Sequence, residues 1–305
     1  MHTCGCTAMA LQWALSWCCL FHLDAAADVS FESHAMNFVQ RKAFPRFAPP
    51  ATVIQYLPSK PWDVHNYLGV VHHKAGFFLA PVWTQVFQTL GAGTSDIGAW
   101  QQPCYSSQSC HSPEAPIQFW LDMFSRERAQ KARQAVGSKG LRVVGSVRDP
   151  VSMIVSAYCY HHHGREMTNR LFAPTARLLM LGPREGLVVV AERMLPLVEN
   201  MTAAFEQPSN DIFRLDYETV TNSSEGFDQQ MERMIDFLFT GLITPEERRK
   251  VLKATQVADA HRYLRTDQEN DPECEEEVRK YVPSMPADLL GYYHSFQQRL
   301  GYAVG

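Results

Sequence analysis

Three short, largely apolar runs, each followed by a turn and a helix signal, constrain this chain more than any other feature. They are Tyr67-Leu68-Gly69-Val70-Val71, Leu141-Arg142-Val143-Val144-Gly145-Ser146-Val147 and Ile212-Phe213-Arg214-Leu215. Such runs suit strands covered on both faces, the strands of a parallel sheet. Between and after them the pattern predicts helices over Phe77–Leu90, Ile117–Ala135, Gly186–Phe205, Phe227–Phe239, Pro245–Thr255 and Ala287–Leu300. A further helix opens at Asp149-Pro150, with Asp as cap and Pro at the first helical position. Strands alternating with helices predict the α/β class: one domain, a central parallel β-sheet flanked by helices, and a ligand at the strands' carboxyl ends.

The chain has 305 residues, 46% of them hydrophobic, which suffices for one large core. Its 28 basic and 32 acidic residues leave a formal charge of −4. That argues against a nucleic-acid coat protein, which needs a basic surface, but leaves room for a local anion pocket.

The amino terminus points to the secretory pathway. No residue from Thr3 to Leu23 carries a formal charge, and Ala25-Ala26-Ala27 offers a signal-peptidase pattern. Residues 1–27 are therefore expected to be a signal peptide; the alternatives are an uncleaved signal anchor, because the stretch is long enough to cross a bilayer, and a soluble or organellar amino terminus. Residues 28–63, rich in Phe and Pro, read as an extended arm leading into a domain over 64–305. Of eight cysteines, Cys4, Cys6, Cys18 and Cys19 fall in the targeting stretch, leaving Cys104, Cys110, Cys159 and Cys274. Cys104 and Cys110 bracket a loop that a disulfide would staple in an oxidising compartment. Paired metal-ligand spacing is absent, and the His161-His162-His163 run is expected to be a solvated helix end, not a metal tract. Asn200-Met-Thr202 and Asn222-Ser-Ser224 are glycosylation tripeptides.

Two strand-to-helix junctions carry the chemistry. At the first, His73-Lys74-Ala75-Gly76 separates a buried strand from a helix. Exposed N–H groups at a helix start attract anions, Gly admits close approach, and Lys74 adds a charge. Alone, the same residues describe an ordinary turn. At the second, Arg148 ends a strand, Asp149-Pro150 turns the corner, and Ser152 and Ser156 share a face of the next helix. A guanidinium there can fork two hydrogen bonds onto a phosphate, or simply pair with a neighbouring acid.

Together these segments resemble the sulfotransferases that use 3'-phosphoadenosine 5'-phosphosulfate (PAPS). Those enzymes have an early Lys-x-Gly loop and a later Arg-Asp-Pro followed by Ser-x-Tyr. Here the later segment reads Arg148-Asp149-Pro150-Val151-Ser152-Met153-Ile154-Val155-Ser156-Ala157-Tyr158, with Ser156 eight residues after Arg148. Arg214-Leu215-Asp216-Tyr217-Glu218 and Gly291 to Tyr302 are similar to softer family features. The resemblance implies a P-loop-NTPase-like sulfotransferase architecture. It implies a 5'-phosphosulfate held by Lys74, Ala75, Gly76, Phe77 and Phe78, and a 3'-phosphate held by Arg148 and Ser156. Phe77-Phe78 departs from the family's hydroxyl-bearing Thr or Gly-Thr, so a catalytically decayed binding protein is the alternative.

The implied reaction moves a sulfuryl group from PAPS, without a metal, to a hydroxyl or amine of a carbohydrate, protein or small molecule. Lys74 would stabilise the leaving oxygen, and a base would take the acceptor's proton. The base candidates are His111, Glu114, His72 and His73, with His111 favoured because several relatives place their base in that loop. Secretory residence favours glycan or protein tyrosine acceptors, in the Golgi lumen or outside the cell. A P-loop nucleotide kinase is disfavoured because no Gly-x4-Gly-Lys-Ser/Thr occurs.

Overall fold

Among the described residues, four parallel strands form the centre: β1 (His65–Val71), β2 (Ile117–Leu121), β3 (Gly140–Val147) and β4 (Ile212–Asp216), in the order β2-β1-β3-β4. The computed structural model describes residues 60–98, 115–122, 124–164, 175–263 and 271–304. The two inner strands, β1 and β3, are buried along most of their length, as their continuous apolar runs require. Each fully buried Val, Leu or Phe side chain here contributes about 1.5–3 kcal/mol of hydrophobic stabilisation. Gly145 belongs to this core through its lack of a side chain. A Cβ there would lie 2.0 Å from Cζ of Phe205, so helix and sheet approach closely only over glycine.

The register decides where function can sit. Val71 lies opposite Ser146, and Val147 opposite Asp216. The carboxyl ends of β1, β3 and β4 therefore finish on one edge, and the segments leaving them emerge side by side.

The helices are α1 (Pro61–Val64), α2 (Leu79–Thr89), α3 (Arg126–Ala135), α4 (Pro150–His162), α5 (Thr175–Leu179), α6 (Pro183–Phe205), α7 (Tyr217–Asn222), α8 (Ser224–Phe239), α9 (Pro245–Thr255), α10 (Pro272–Arg279) and α11 (Ala287–Leu300). Helix α4 packs on α6 and α11, and α9 packs on α2 and α8. The class expected from the sequence, a parallel sheet flanked by helices, is the one observed.

One predicted element is corrected. Residues 117–135 are not one helix. Ile117–Leu121 is strand β2, paired with Tyr67–Val71, and only Arg126–Ala135 is helical. Ile117, Trp120, Leu121 and Phe124 fall at helical spacing, and a short apolar run cannot separate the two periods. Asp122, at φ 56°, ends the strand, and Ser125 opens α3 by accepting a hydrogen bond from the Arg128 amide at 3.3 Å. The end of the expected arm also differs: Pro61–Val64 is a helical turn with Trp62 buried.

The amino-terminal stretch, the arm up to residue 59, and Cys104 and Cys110 lie outside the described residues. Among the described residues, no helix is long and apolar enough to cross a membrane.

Candidate functional site

The loop between β1 and α2 is held from below by the sheet. The Ser146 hydroxyl donates to the Ala75 carbonyl, and the Ala75 amide donates to the His72 carbonyl at 2.9 Å. Two residues take left-handed backbone: Lys74 at φ 63° and Gly76 at φ 115°. Gly76 has no substitute. A Cβ there would meet Ser146 Oγ at 2.6 Å, Phe78 Cε1 at 2.7 Å and Tyr217 Cδ2 at 3.0 Å. Lys74, by contrast, is a non-glycine residue in a strained region, a pattern that clusters at ligand sites. Its Nζ stands 3.7 Å from the Tyr160 ring centroid, a cation–π contact that steadies the ammonium.

Helix α2 then begins without a side-chain cap, since Phe78 occupies the cap position. Phe78 is buried beside Tyr217, with ring centroids 6.3 Å apart, whereas Phe77 is 47% exposed. The two phenylalanines thus play different parts. Phe78 packs, and Phe77 faces outward from the loop.

The second junction lies directly beside the first. Arg148 leaves β3 buried, at 6% exposure, and its Nη1 donates to the Lys74 carbonyl at 3.1 Å. The guanidinium stacks over Tyr217 at 4.5 Å, and Nη2 stands 3.8 Å from Glu275 Oε2. A guanidinium has five donors in a fixed fork. The Lys74 carbonyl, the Tyr217 ring and, at longer range, the Glu275 carboxylate are this cation's partners among the described residues. A buried guanidinium with a weakly held carboxylate beside it can exchange that carboxylate for another anion.

The corner after Arg148 is built rigidly. The Asp149 amide donates to Glu218 Oε1 at 2.8 Å, and the Gln297 amide donates to Asp149 Oδ1 at 2.7 Å. Asp149 Oδ2 accepts from the Ser152 amide at 2.7 Å, as its capping position predicts. The Tyr302 hydroxyl donates to Glu218 Oε2 at 2.9 Å. The segment from Asp216 to Glu218 and the end of the chain, both singled out in the sequence, therefore serve as props for this corner. Ser156, two turns into α4, is 2% exposed.

Helix α10 was not anticipated. It lies antiparallel to α4, joined to it by a Cys159–Cys274 disulfide with a Cα–Cα distance of 5.9 Å. Through it Glu275 reaches Arg148, and Arg279 Nη2 donates to Ser152 Oγ at 3.1 Å. Nothing in the spacing of Cys159 and Cys274 announces the pairing.

Among the histidines, His72 Nε2–H donates to the Phe124 carbonyl at 2.9 Å, and burial pushes its pKa down to about 4. His73 is also pushed well below 6.5, first by burial, then by His161 and Lys74. Its Nε2 lies 2.8 Å from Nε2 of His161. The expected solvated end for residues 161–163 is corrected here. His161 is fully buried, His162 stacks on Tyr158, and only His163 is exposed. Among the described residues, no group of three or more His, Cys, Asp or Glu could hold a metal ion. His111 and Glu114 lie outside the described residues.

The depressed histidines have a measurable consequence. The unfolded chain takes up protons near pH 6.5, and the folded one resists until about pH 4 at His72. Stability is therefore complete above pH 6.5 and falls as pH drops toward 4, by up to about 1.4 kcal/mol per pH unit for each such group. Urea unfolding at pH 7.5 and pH 5 should show this drop. A His72→Phe variant should flatten it, and an unchanged slope would mean that His72 is not held neutral.

No family model matches the chain, and no curated protein matches it. Among solved structures the chain is similar to the mouse sulfotransferase SULT7A1 complexed with PAP. The likeness has 12% sequence identity and a TM-score of 0.39, and covers 76% of this chain and 88% of that one.

Of the residues expected at a site, Lys74, Ala75, Gly76, Phe77, Phe78 and Arg148 come together on one sheet edge. Ser156 follows in the helix that starts there. Glu275 and Arg279 are additions that the sequence concealed.

Proposed function

We propose that this protein is a PAPS-dependent sulfotransferase. One observation carries the reading: the buried Arg148 guanidinium donates to the backbone of Lys74. The two segments that resemble the family's 5'- and 3'-phosphate loops, far apart in sequence, are thereby fastened into one anion-binding edge. Lys74 and the loop from Ala75 to Phe78 meet the 5' side. Arg148 and Ser156 meet the 3'-phosphate.

When bound, PAPS supplies an electrophilic sulfur and a good leaving group. The chain's own contribution is positional and electrostatic. Lys74 stabilises charge on the departing oxygen, and the sheet-anchored loop keeps it in place without reorganisation. A base accepts the acceptor's proton. His111 is the assignment carried by the resemblance, and His73, held neutral beside Lys74, is the described alternative.

The Cys159–Cys274 bridge and the exposed Asn200 and Asn222 support residence in an oxidising lumen. There glycans and protein tyrosines are the expected acceptors. A second reading, a binding protein without turnover, draws on Phe78, which packs on Tyr217 where a hydroxyl would meet phosphate.

Calorimetry tests the reading. Arg148→Ala should weaken binding of 3'-phosphoadenosine 5'-phosphate roughly ten- to a hundredfold, the loss of a charge-assisted fork. Adenosine 5'-phosphosulfate, which lacks the 3' group, should lose no more than about threefold, from the freed Lys74 carbonyl. Equal losses for both nucleotides in a folded variant would remove Arg148 from 3'-phosphate recognition. Nucleotide binding without sulfuryl transfer to any acceptor would favour the second reading.

A further inference from the structure

Among the described residues, Arg148 has one carboxylate neighbour, and it comes from a different part of the chain. Glu275 Oε2 lies 3.8 Å from Arg148 Nη2, with the two side chains 17% and 7% exposed. The separation is long for a hydrogen bond, so the pair is held by charge and by whatever fixes Glu275. What fixes it is α10. That helix follows α4 in reverse, with Asp271 3.5 Å from His163, Cys274 bonded to Cys159, and Arg279 donating to Ser152. The covalent anchor is the residue next to Glu275. The carboxylate is thus delivered to Arg148 by the disulfide and does not depend on its own weak contact.

We propose that Glu275 is the resident counter-ion of the Arg148 anion site, a carboxylate that a phosphate-bearing ligand must displace. It would thereby set the ligand's affinity and rate of release. Only the identity of that ligand, a 3'-phosphonucleotide, rests on the function proposed above. A phosphate dianion and Glu275 cannot both approach one buried guanidinium without strong like-charge repulsion. The displaced carboxylate has a place to go. Arg279 lies one turn further along α10, and Glu followed by a cation four residues on is the favourable orientation for a helical pair. Binding then exchanges one partner for another at each arginine, and Arg148 faces an anion whether the site is empty or filled. The Cys159–Cys274 bridge holds the competitor in place, so losing the bridge should act through Glu275.

The test compares the full chain with Glu275→Gln, using 3'-phosphoadenosine 5'-phosphate by calorimetry and inorganic phosphate by its effect on melting temperature. Glu275→Gln should bind the nucleotide roughly five- to twentyfold more tightly, and phosphate should raise its melting temperature more than that of the unaltered protein. Cys159→Ser with Cys274→Ser should tighten nucleotide binding in the same direction and add little to Glu275→Gln. If neither protein binds the nucleotide yet phosphate favours Glu275→Gln, the counter-ion role stands and the nucleotide reading falls. If nucleotide binding is unchanged or weaker in Glu275→Gln, or if neither probe separates the two proteins, the counter-ion role is overturned.

Discussion

Removing the Cys159–Cys274 bridge should lower the stability of the protein by about 2–5 kcal/mol. The two cysteines are 115 residues apart, so the bridge closes a long loop in the unfolded chain. In the chain-entropy treatment a loop of this length is worth about 5 kcal/mol, and native disulfides deliver somewhat less. The residues inside the loop include β4 and the helices α6 to α9, so the constraint reaches across much of the core. Other contacts of α10 are weak substitutes. Only Val278 of that helix is buried, and the Asp271–His163 pair at its start lies at the surface. Equilibrium unfolding in urea of the double serine variant should show the loss as a lower midpoint. An unchanged midpoint would mean that α10 is held by packing alone and that the bridge is ornamental.

The same helix explains where sequence reading stopped. Pro272-Glu-Cys-Glu-Glu-Glu-Val-Arg279 has no apolar stripe, and periodicity cannot register a helix held chiefly by a disulfide and polar contacts. The inner strands were legible for the opposite reason. β1 and β3 are covered on both faces, and their composition is dictated by that burial. The corner at Asp149-Pro150 was legible because cap and proline act locally, and the Asp149 carboxylate meets the Ser152 amide as the rule requires. β2 was misread because Ile117, Trp120, Leu121 and Phe124 satisfy a helical template while pairing as a strand. His161 was misread because α4 is buried on nearly every side, so a polar residue in it says little about exposure. The bond from Arg148 to Lys74 belongs to no local pattern. It follows from the register of β1 against β3, which brings Val71 beside Ser146 and so sets the two loops next to each other.

On the proposed function, Lys74→Ala should lower sulfuryl-transfer turnover by about a hundred- to a thousandfold, the usual consequence of removing one preorganised donor to a developing negative charge. Binding of 3'-phosphoadenosine 5'-phosphate should change by less than about fivefold, because the ground state has other contacts. The loop itself should survive the substitution. Arg148 grips the Lys74 carbonyl and Ser146 the Ala75 carbonyl, and neither bond needs the lysine side chain. The lost contact with Tyr160 costs only about 0.5–1 kcal/mol. Position 74 also permits a control that separates charge from backbone strain. Its φ of 63° is unfavourable for alanine as for lysine, whereas glycine adopts it freely. Lys74→Gly should therefore be more stable than Lys74→Ala yet equally slow. If glycine restores turnover, the strained backbone mattered and the ammonium did not. If both variants turn over normally, Lys74 has no part in transfer. If both lose nucleotide affinity in proportion to rate, its role is binding and not stabilisation of the leaving oxygen. The expected pattern, a large loss of rate with near-normal affinity in both variants, places the ammonium at the departing oxygen.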